Sequence, residues 1–232
     1  MGERTDIAWT QRTWNPWHGC KKISPGCKFC YMFREKRQYG QDPEVVVRSK
    51  TKFRDPLKWL EPSLIFTCSW SDWFIDVADE WRPEAYSIIR ATPQHTYQIL
   101  TKRSERMEFF LPPDDLRNIW WGVSVEDRKY GVPRIAHLQS LDVHNRFLSI
   151  EPLIEDVGVL DLRGIGWVIV GGESGPERRS VDVNWIGSVV RQCGEQKVPC
   201  FVKQDSGLKA GKQGRIPNEM FVRQFPVGMV PA

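Results

Sequence analysis

Long apolar runs are missing from this sequence. No stretch of its 232 residues approaches 18 consecutive apolar positions, which excludes a transmembrane helix. The first nine residues, Met1 to Trp9, are charged and have no apolar centre, so no secretory leader is expected and the chain reads as cytoplasmic, with no membrane partner. Cysteine is sparse: six residues are too few for a disulfide scaffold, and a chain this long buries a core without such staples. Histidine is scarcer still, with four, and neither a His-x-x-x-His nor a second Cys-x-x-Cys occurs. Net charge is only +4, and a hydrophobic content of 41% excludes a disordered chain. What remains is a globular protein of one large domain, whose cysteines need an explanation other than disulfides.

Three of those cysteines lie within eleven residues, in the run Cys20-Lys-Lys-Ile-Ser-Pro-Gly-Cys27-Lys-Phe-Cys30-Tyr31. Two residues between Cys27 and Cys30 let the chain curl around one metal centre, and Pro25-Gly26 makes a turn that brings Cys20 back toward the pair. Three readings compete. A structural zinc site normally takes four ligands in two spaced pairs; here there is one pair, and His18 stands only one residue from Cys20. A thioredoxin-like redox pair leaves Cys20 unexplained. An iron–sulfur cluster is usually filled by four Cys, and three would leave one iron open to a ligand. The other cysteines, Cys68, Cys193 and Cys200, sit among apolar neighbours and read as small buried hydrophobes.

Short apolar runs alternate with longer amphipathic stretches. Strands are expected over 7–10, 64–69, 96–101, 119–125, 146–150, 167–170 and 199–202. Helices are expected over 28–39, 83–92, 129–141 and 184–193, with Pro83 suited to a first helical turn. The spacings leave room for a crossover helix in most intervals. This pattern is α/β with a parallel sheet, closed or partly closed into a barrel. Chemistry in such a fold gathers at the C-terminal strand ends. Those ends are polar here: Ser69 to Asp72, Thr101-Lys102-Arg103, Ser124 with Glu126, Glu151, Gly171-Gly172-Glu173 and Lys203-Gln204. The paired glycines would let a ligand approach the backbone, but their spacing is not that of a phosphate-cradling loop.

An aromatic residue, Phe29, directly before the last cysteine of a three-Cys loop resembles the radical S-adenosylmethionine superfamily. The six-then-two spacing is similar to a phage-associated three-Cys-motif family. The blocks that carry the likeness run from about residue 5 to residue 205. They are Ile7-Ala-Trp-Thr10, Thr13-Trp-Asn-Pro-Trp-His-Gly-Cys20, Gly26-Cys-Lys-Phe-Cys-Tyr31, Trp70-Ser-Asp-Trp-Phe74, and Gln94-His-Thr-Tyr-Gln-Ile-Leu-Thr-Lys-Arg103. Downstream stand Gly122-Val-Ser-Val-Glu126, Arg146-Phe-Leu-Ser-Ile-Glu-Pro152, Gly171-Gly-Glu-Ser-Gly175 and Phe201-Val-Lys-Gln204.

The resemblance implies a partial (β/α)6-type TIM-like barrel over residues 1–205, an iron–sulfur loop over 14–31, and a C-terminal surface extension over 206–232. It implies a [4Fe–4S] cluster on Cys20, Cys27 and Cys30, with S-adenosylmethionine on the open iron. An external one-electron reductant would drive cleavage to a 5′-deoxyadenosyl radical. Phe29, Tyr31, Ser69, Ser124, Glu126, Glu151, Gly171, Gly172 and Glu173 are the candidate cofactor contacts. Asp72, Lys102, Arg103, Lys203 and Gln204 are the candidate substrate contacts. Trp14 and Trp17, which flank Asn15-Pro16, are expected to shield the cluster.

Charge is unevenly placed. Lys21 to Lys58 holds eleven basic and four acidic residues, so the rest of the chain is slightly acidic. Phe29, Tyr31, Phe33, Tyr39, Phe53 and Trp59 interleave with those cations, a composition that suits a nucleic-acid groove or, equally, a solvated helix face. The expected partner is DNA or a modified nucleotide. The expected activity is modification, with an isomerase-type rearrangement preferred, of the side chain of a modified phage base. The alternatives are a zinc-stabilised nucleic-acid-binding module without catalysis and a radical enzyme acting on a free nucleotide or small molecule.

Overall fold

The computed structural model describes residues 4–114 and 116–228. Seven parallel strands form one curled sheet, a partial TIM-like barrel. In chain order they are β1 (Arg12–Trp14), β4 (Leu64–Thr67), β5 (Thr96–Thr101), β6 (Ile119–Ser124), β7 (Asn145–Ile150), β8 (Trp167–Gly171) and β9 (Cys200–Gln204). Each pairs with the next in chain order, so every connection is a crossover of one hand and strand ends of one polarity share one rim. Two short strands, β2 (Trp17–His18) and β3 (Val47–Arg48), form a separate antiparallel pair beside the first crossover. The helices are α1 (Tyr31–Gln38), α2 (Arg82–Ala91), α3 (Met107–Phe110), α4 (Pro133–Gln139) and α5 (Val183–Glu195). No helix among the described residues is long and apolar enough to cross a membrane.

Six of the expected strands fall where the apolar runs lie. The first does not: residues 7–10 are a turn, and the strand is Arg12–Trp14. Trp9 instead covers the N-terminal end of the barrel interior, its ring 4.7 Å from that of Phe66. The helices start where local chemistry allows. Pro83 lies in the first turn of α2, whose Ala85, Ile88 and Ile89 recur at helical spacing and enter the core. Asp182 caps α5 by accepting from the Asn184 amide at 2.9 Å.

Period-two alternation gives the sheet two faces. Ile65, Ile99, Val123, Ile150, Val170 and Val202 meet the helices in the main core. The concave face carries Phe66, Leu100, Phe147, Trp167, Ile169 and Phe201, which fill the N-terminal half of the barrel with Trp9 and Phe225. Toward the C-terminal ends the same face turns small and polar, with Ser124, Ser149 and Gly171. Beyond β9 the chain doubles back, and the Val202 and Gln224 amides bond Val222 and Cys200 carbonyls at 2.7 and 2.9 Å, which covers the exposed strand edge.

Gly122 shows how tightly the lower half is filled. A Cβ there would lie 2.3 Å from the fully buried ring of Phe147. Gly122→Ala is expected to cost about 1–3 kcal/mol by overpacking, read as a lower denaturation midpoint. An unchanged midpoint would show that the interior is slack.

Candidate functional site

The cysteine loop crosses the polar rim. It leaves β1, passes through β2, and ends at Cys30, which directly precedes α1. Gly19 sets its course: its φ is +100°, and a Cβ there would meet the Val45 carbonyl oxygen at 2.2 Å. The Gly19 amide donates to the Trp70 carbonyl at 2.9 Å, and the Ser71 hydroxyl donates to the Gly19 carbonyl at 2.6 Å. Cys20, Cys27 and Cys30 are free and half-buried, whereas Cys68, Cys193 and Cys200 are buried.

Three acid–base pairs, from three different strand ends, hold the loop. After β4, Asp72 accepts from the Thr101 hydroxyl at 2.6 Å and the Lys102 amide at 2.9 Å, and pairs with Arg103 at 3.2 Å. Arg103 in turn donates to the Lys21 carbonyl at 2.9 Å and to Cys20 Sγ at 3.8 Å. After β6, Glu126 pairs with Arg134 at 2.6 Å and accepts from the Ser24 hydroxyl, which also lies 3.7 Å from Cys27 Sγ. After β8, Glu173 pairs with Arg179 at 2.6 Å, and Arg179 donates to the Pro25 carbonyl at 3.1 Å while facing the Phe29 ring. Each anion is buried; Arg103 and Arg179 reach outward to the loop, whereas in the Glu126–Arg134 pair the carboxylate itself meets the loop, through Ser24.

The remaining candidates are arranged as follows. Lys203 pairs with Glu151 at 2.5 Å across the mouth. Tyr31 donates to the Ser69 carbonyl, and the Ser69 hydroxyl lies 3.0 Å from Asn15. The Ser124 carbonyl accepts from Arg134 at 2.8 Å. Gln204 is buried, bonding the Gly172 carbonyl and the Gly211 amide, each at 2.8 Å. The space beside Gly172 is taken by Ser206, 2.5 Å from where a Cβ would stand, so neighbouring backbone accounts for that glycine. Trp14 and Trp17 are buried in an aromatic group with Trp73, and the Trp17 indole donates to the Asp72 carbonyl at 3.2 Å. Arg134, Arg179 and Ser24 escaped sequence reading, because Glu126 and Glu173 stand outside helices and strands, so no helical or strand period links them to their arginines, and Ser24 lies far along the chain from Glu126.

The cation-rich segment 21–58 is less available than its composition suggests. Arg48 and Arg54 share Glu84, Lys52 and Lys58 share Asp55, and Lys36 is buried at 2% exposure. Phe33, Phe53 and Trp59 are core residues and cannot stack on a base.

Electrostatics at the loop follow burial. Desolvation pushes the Cys20 thiol up to about 12; Asp72 adds to this and Arg103 opposes it. Burial likewise raises Cys30. Burial alone would raise the Glu126 carboxyl, but Lys102, Arg134 and the Ser24 hydroxyl outweigh it and hold its pKa below the ordinary value. Among the described residues no three His, Cys, Asp or Glu side chains, His18 included, are placed to hold a single ion.

A family model described as "Protein of unknown function (DUF5131)" matches residues 4–225. The chain belongs to the DUF5131 family. No curated protein matches this DUF5131 chain. A solved structure, "Spore photoproduct lyase complexed with dinucleoside spore photoproduct", matches it with a TM-score of 0.51 at 12% identity. The match covers 84% of the DUF5131 chain, which spans 66% of the length of that structure. At that identity the likeness is one of fold: the same type of curled parallel sheet.

The donor set fits an iron–sulfur cluster: three half-buried thiols lie on one loop, with Arg103 beside Cys20 and Ser24 beside Cys27. Desolvated sulfurs with Arg103 and Ser24 beside them match the burial and hydrogen bonding that tune such clusters.

Proposed function

We propose that this chain is a radical S-adenosylmethionine enzyme that modifies a base within nucleic acid. One observation carries the reading: three free cysteines on one loop at the C-terminal mouth of a parallel half-barrel, where catalytic groups collect in this class of fold. Cys20, Cys27 and Cys30 would hold a [4Fe–4S] cluster. When bound, the cluster and S-adenosylmethionine supply one-electron sulfonium cleavage and hydrogen-atom abstraction. The chain's own residues position and shield that chemistry. Arg103 and Ser24 hold the sulfur environment, and the aromatic lower half keeps water from the barrel floor. Ser124, Glu151 and Gly171 line the polar upper end and would receive the amine and ribose of the cofactor. Support for a nucleic-acid substrate comes from the structural neighbour, a spore photoproduct lyase in complex with a dinucleoside spore photoproduct.

Anaerobic reconstitution with iron and sulfide tests the reading. The protein is expected to turn brown and, on reduction with dithionite, to convert S-adenosylmethionine to 5′-deoxyadenosine. Colourless protein that binds one zinc and releases no 5′-deoxyadenosine would overturn it in favour of a zinc-stabilised binding module.

A further inference from the structure

A cleft of about 510 Å³ flanks the cysteine loop. Its walls come from the loop itself, from the turn after β5, and from α4 with the segment leading into it, with Asp76 after β4 at its margin. Three guanidiniums in the wall are tied to carboxylates: Arg103 to Asp72, Arg106 to Asp79 and Arg134 to Glu126. Three lysines are not: Lys21, Lys102 and Lys129 have no carboxylate partner among the described residues. They reach the cleft from the three separate segments. Lys102 is the innermost, half-buried, and its charge is felt by both Cys30 and Glu126. The two acidic side chains in the lining, Asp76 and Glu105, are exposed and free to turn to solvent. Tyr130 is 40% exposed; the Lys129 ammonium lies over its ring, 5.2 Å from the centroid, on one face.

Unpaired cations spread along a cleft match a row of phosphates rather than one compact anion, and an exposed ring among them offers a stacking face. A base that reacts at the cysteine loop must also leave the duplex stack. We infer that this cleft is the track of a nucleic-acid single strand, with phosphates on Lys21, Lys102 and Lys129 and a base against Tyr130. The inference rests on the proposed nucleic-acid substrate, but its test needs neither cluster nor S-adenosylmethionine.

The test is fluorescence anisotropy of a labelled mixed-sequence single-stranded DNA with the full chain, over a series of salt concentrations. Lys21 and Lys129 are exposed, so charge reversal there leaves the fold intact. Lys21→Glu with Lys129→Glu is expected to weaken binding at least about tenfold and to flatten the log–log salt slope by about 1.4, two contacts' worth on a single strand. Tyr130→Ala is expected to weaken it about fivefold or more. Lys52→Glu with Lys58→Glu, whose ammoniums rest on Asp55, should leave affinity in place. Wild-type affinity in the cleft variants, or equal loss in the control pair, would overturn the inference. Competition by a 5′-mononucleotide as strong as by the oligonucleotide would also overturn it, assigning the cleft to a free nucleotide. Oligonucleotide binding with these losses but no 5′-deoxyadenosine would leave the cleft standing and remove the radical chemistry; the reverse result would remove the cleft alone.

Discussion

Cys27→Ala protein is expected to purify folded, but to carry no stable iron and to form no 5′-deoxyadenosine. Cys27 is half-buried and its sulfur has one weak neighbour, the Ser24 hydroxyl, so truncation leaves no large cavity and no unpaired charge. As a cluster ligand, though, it would lie in direct contact with iron. Losing an outer-shell partner of a metal costs roughly 10–100-fold in affinity or activity, and losing a direct ligand should exceed that range. Cys193→Ala is the informative companion. That thiol is buried in the main core, so its removal should cost stability and spare the iron. Iron analysis, visible absorption and 5′-deoxyadenosine yield separate the two. A Cys27→Ala protein that keeps its iron and its activity would end the assignment of the cysteine loop.

Asp72→Ala is expected to be among the most destabilising single changes at the rim. The Asp72 carboxylate satisfies the Thr101 hydroxyl and the amides of Phe74 and Lys102, and pairs with Arg103. Both charged side chains are below 10% exposed. Removing one member of a buried ion pair leaves its partner uncompensated, at a cost of about 3–5 kcal/mol. The denaturation midpoint should fall accordingly. Adding Arg103→Leu should recover part of the loss, because the stranded charge is then gone. The same single variant should loosen Cys20, since Arg103 is the link between Asp72 and the cysteine loop. A midpoint shift without any double-variant recovery would show that Asp72 acts through its amide and hydroxyl bonds instead of the ion pair.

Six strands could be read from sequence to within one or two residues, because a buried parallel strand is a short run of apolar residues and that signal is local. The first strand could not. It is three residues long and includes Arg12, buried by its place against Ser63 and Trp59, while the more apolar segment before it makes a turn. The pair β2 and β3 is shorter still and joins residues about thirty positions apart, so no local period announces it. Helix boundaries shifted for a related reason: α1 begins only at Tyr31, because residues 25–27 take a tighter turn around the cysteines.

The sequence by itself determined the alternation of strands and helices, the polar rim, and the division of the cysteines into a loop of three and three core residues. These are properties of spacing and of neighbouring residue types. Tertiary structure alone decided which charges remain free. Glu126, Glu173 and Asp72 read equally well as ligand contacts until Arg134, Arg179 and Arg103 are seen to engage them. The cation-rich segment read equally as a groove or a solvated face until Glu84 and Asp55 are seen to share four of its cations. Charge neutralisation acts through space, between residues that in these pairs lie up to 36 positions apart, and only the fold sets that distance.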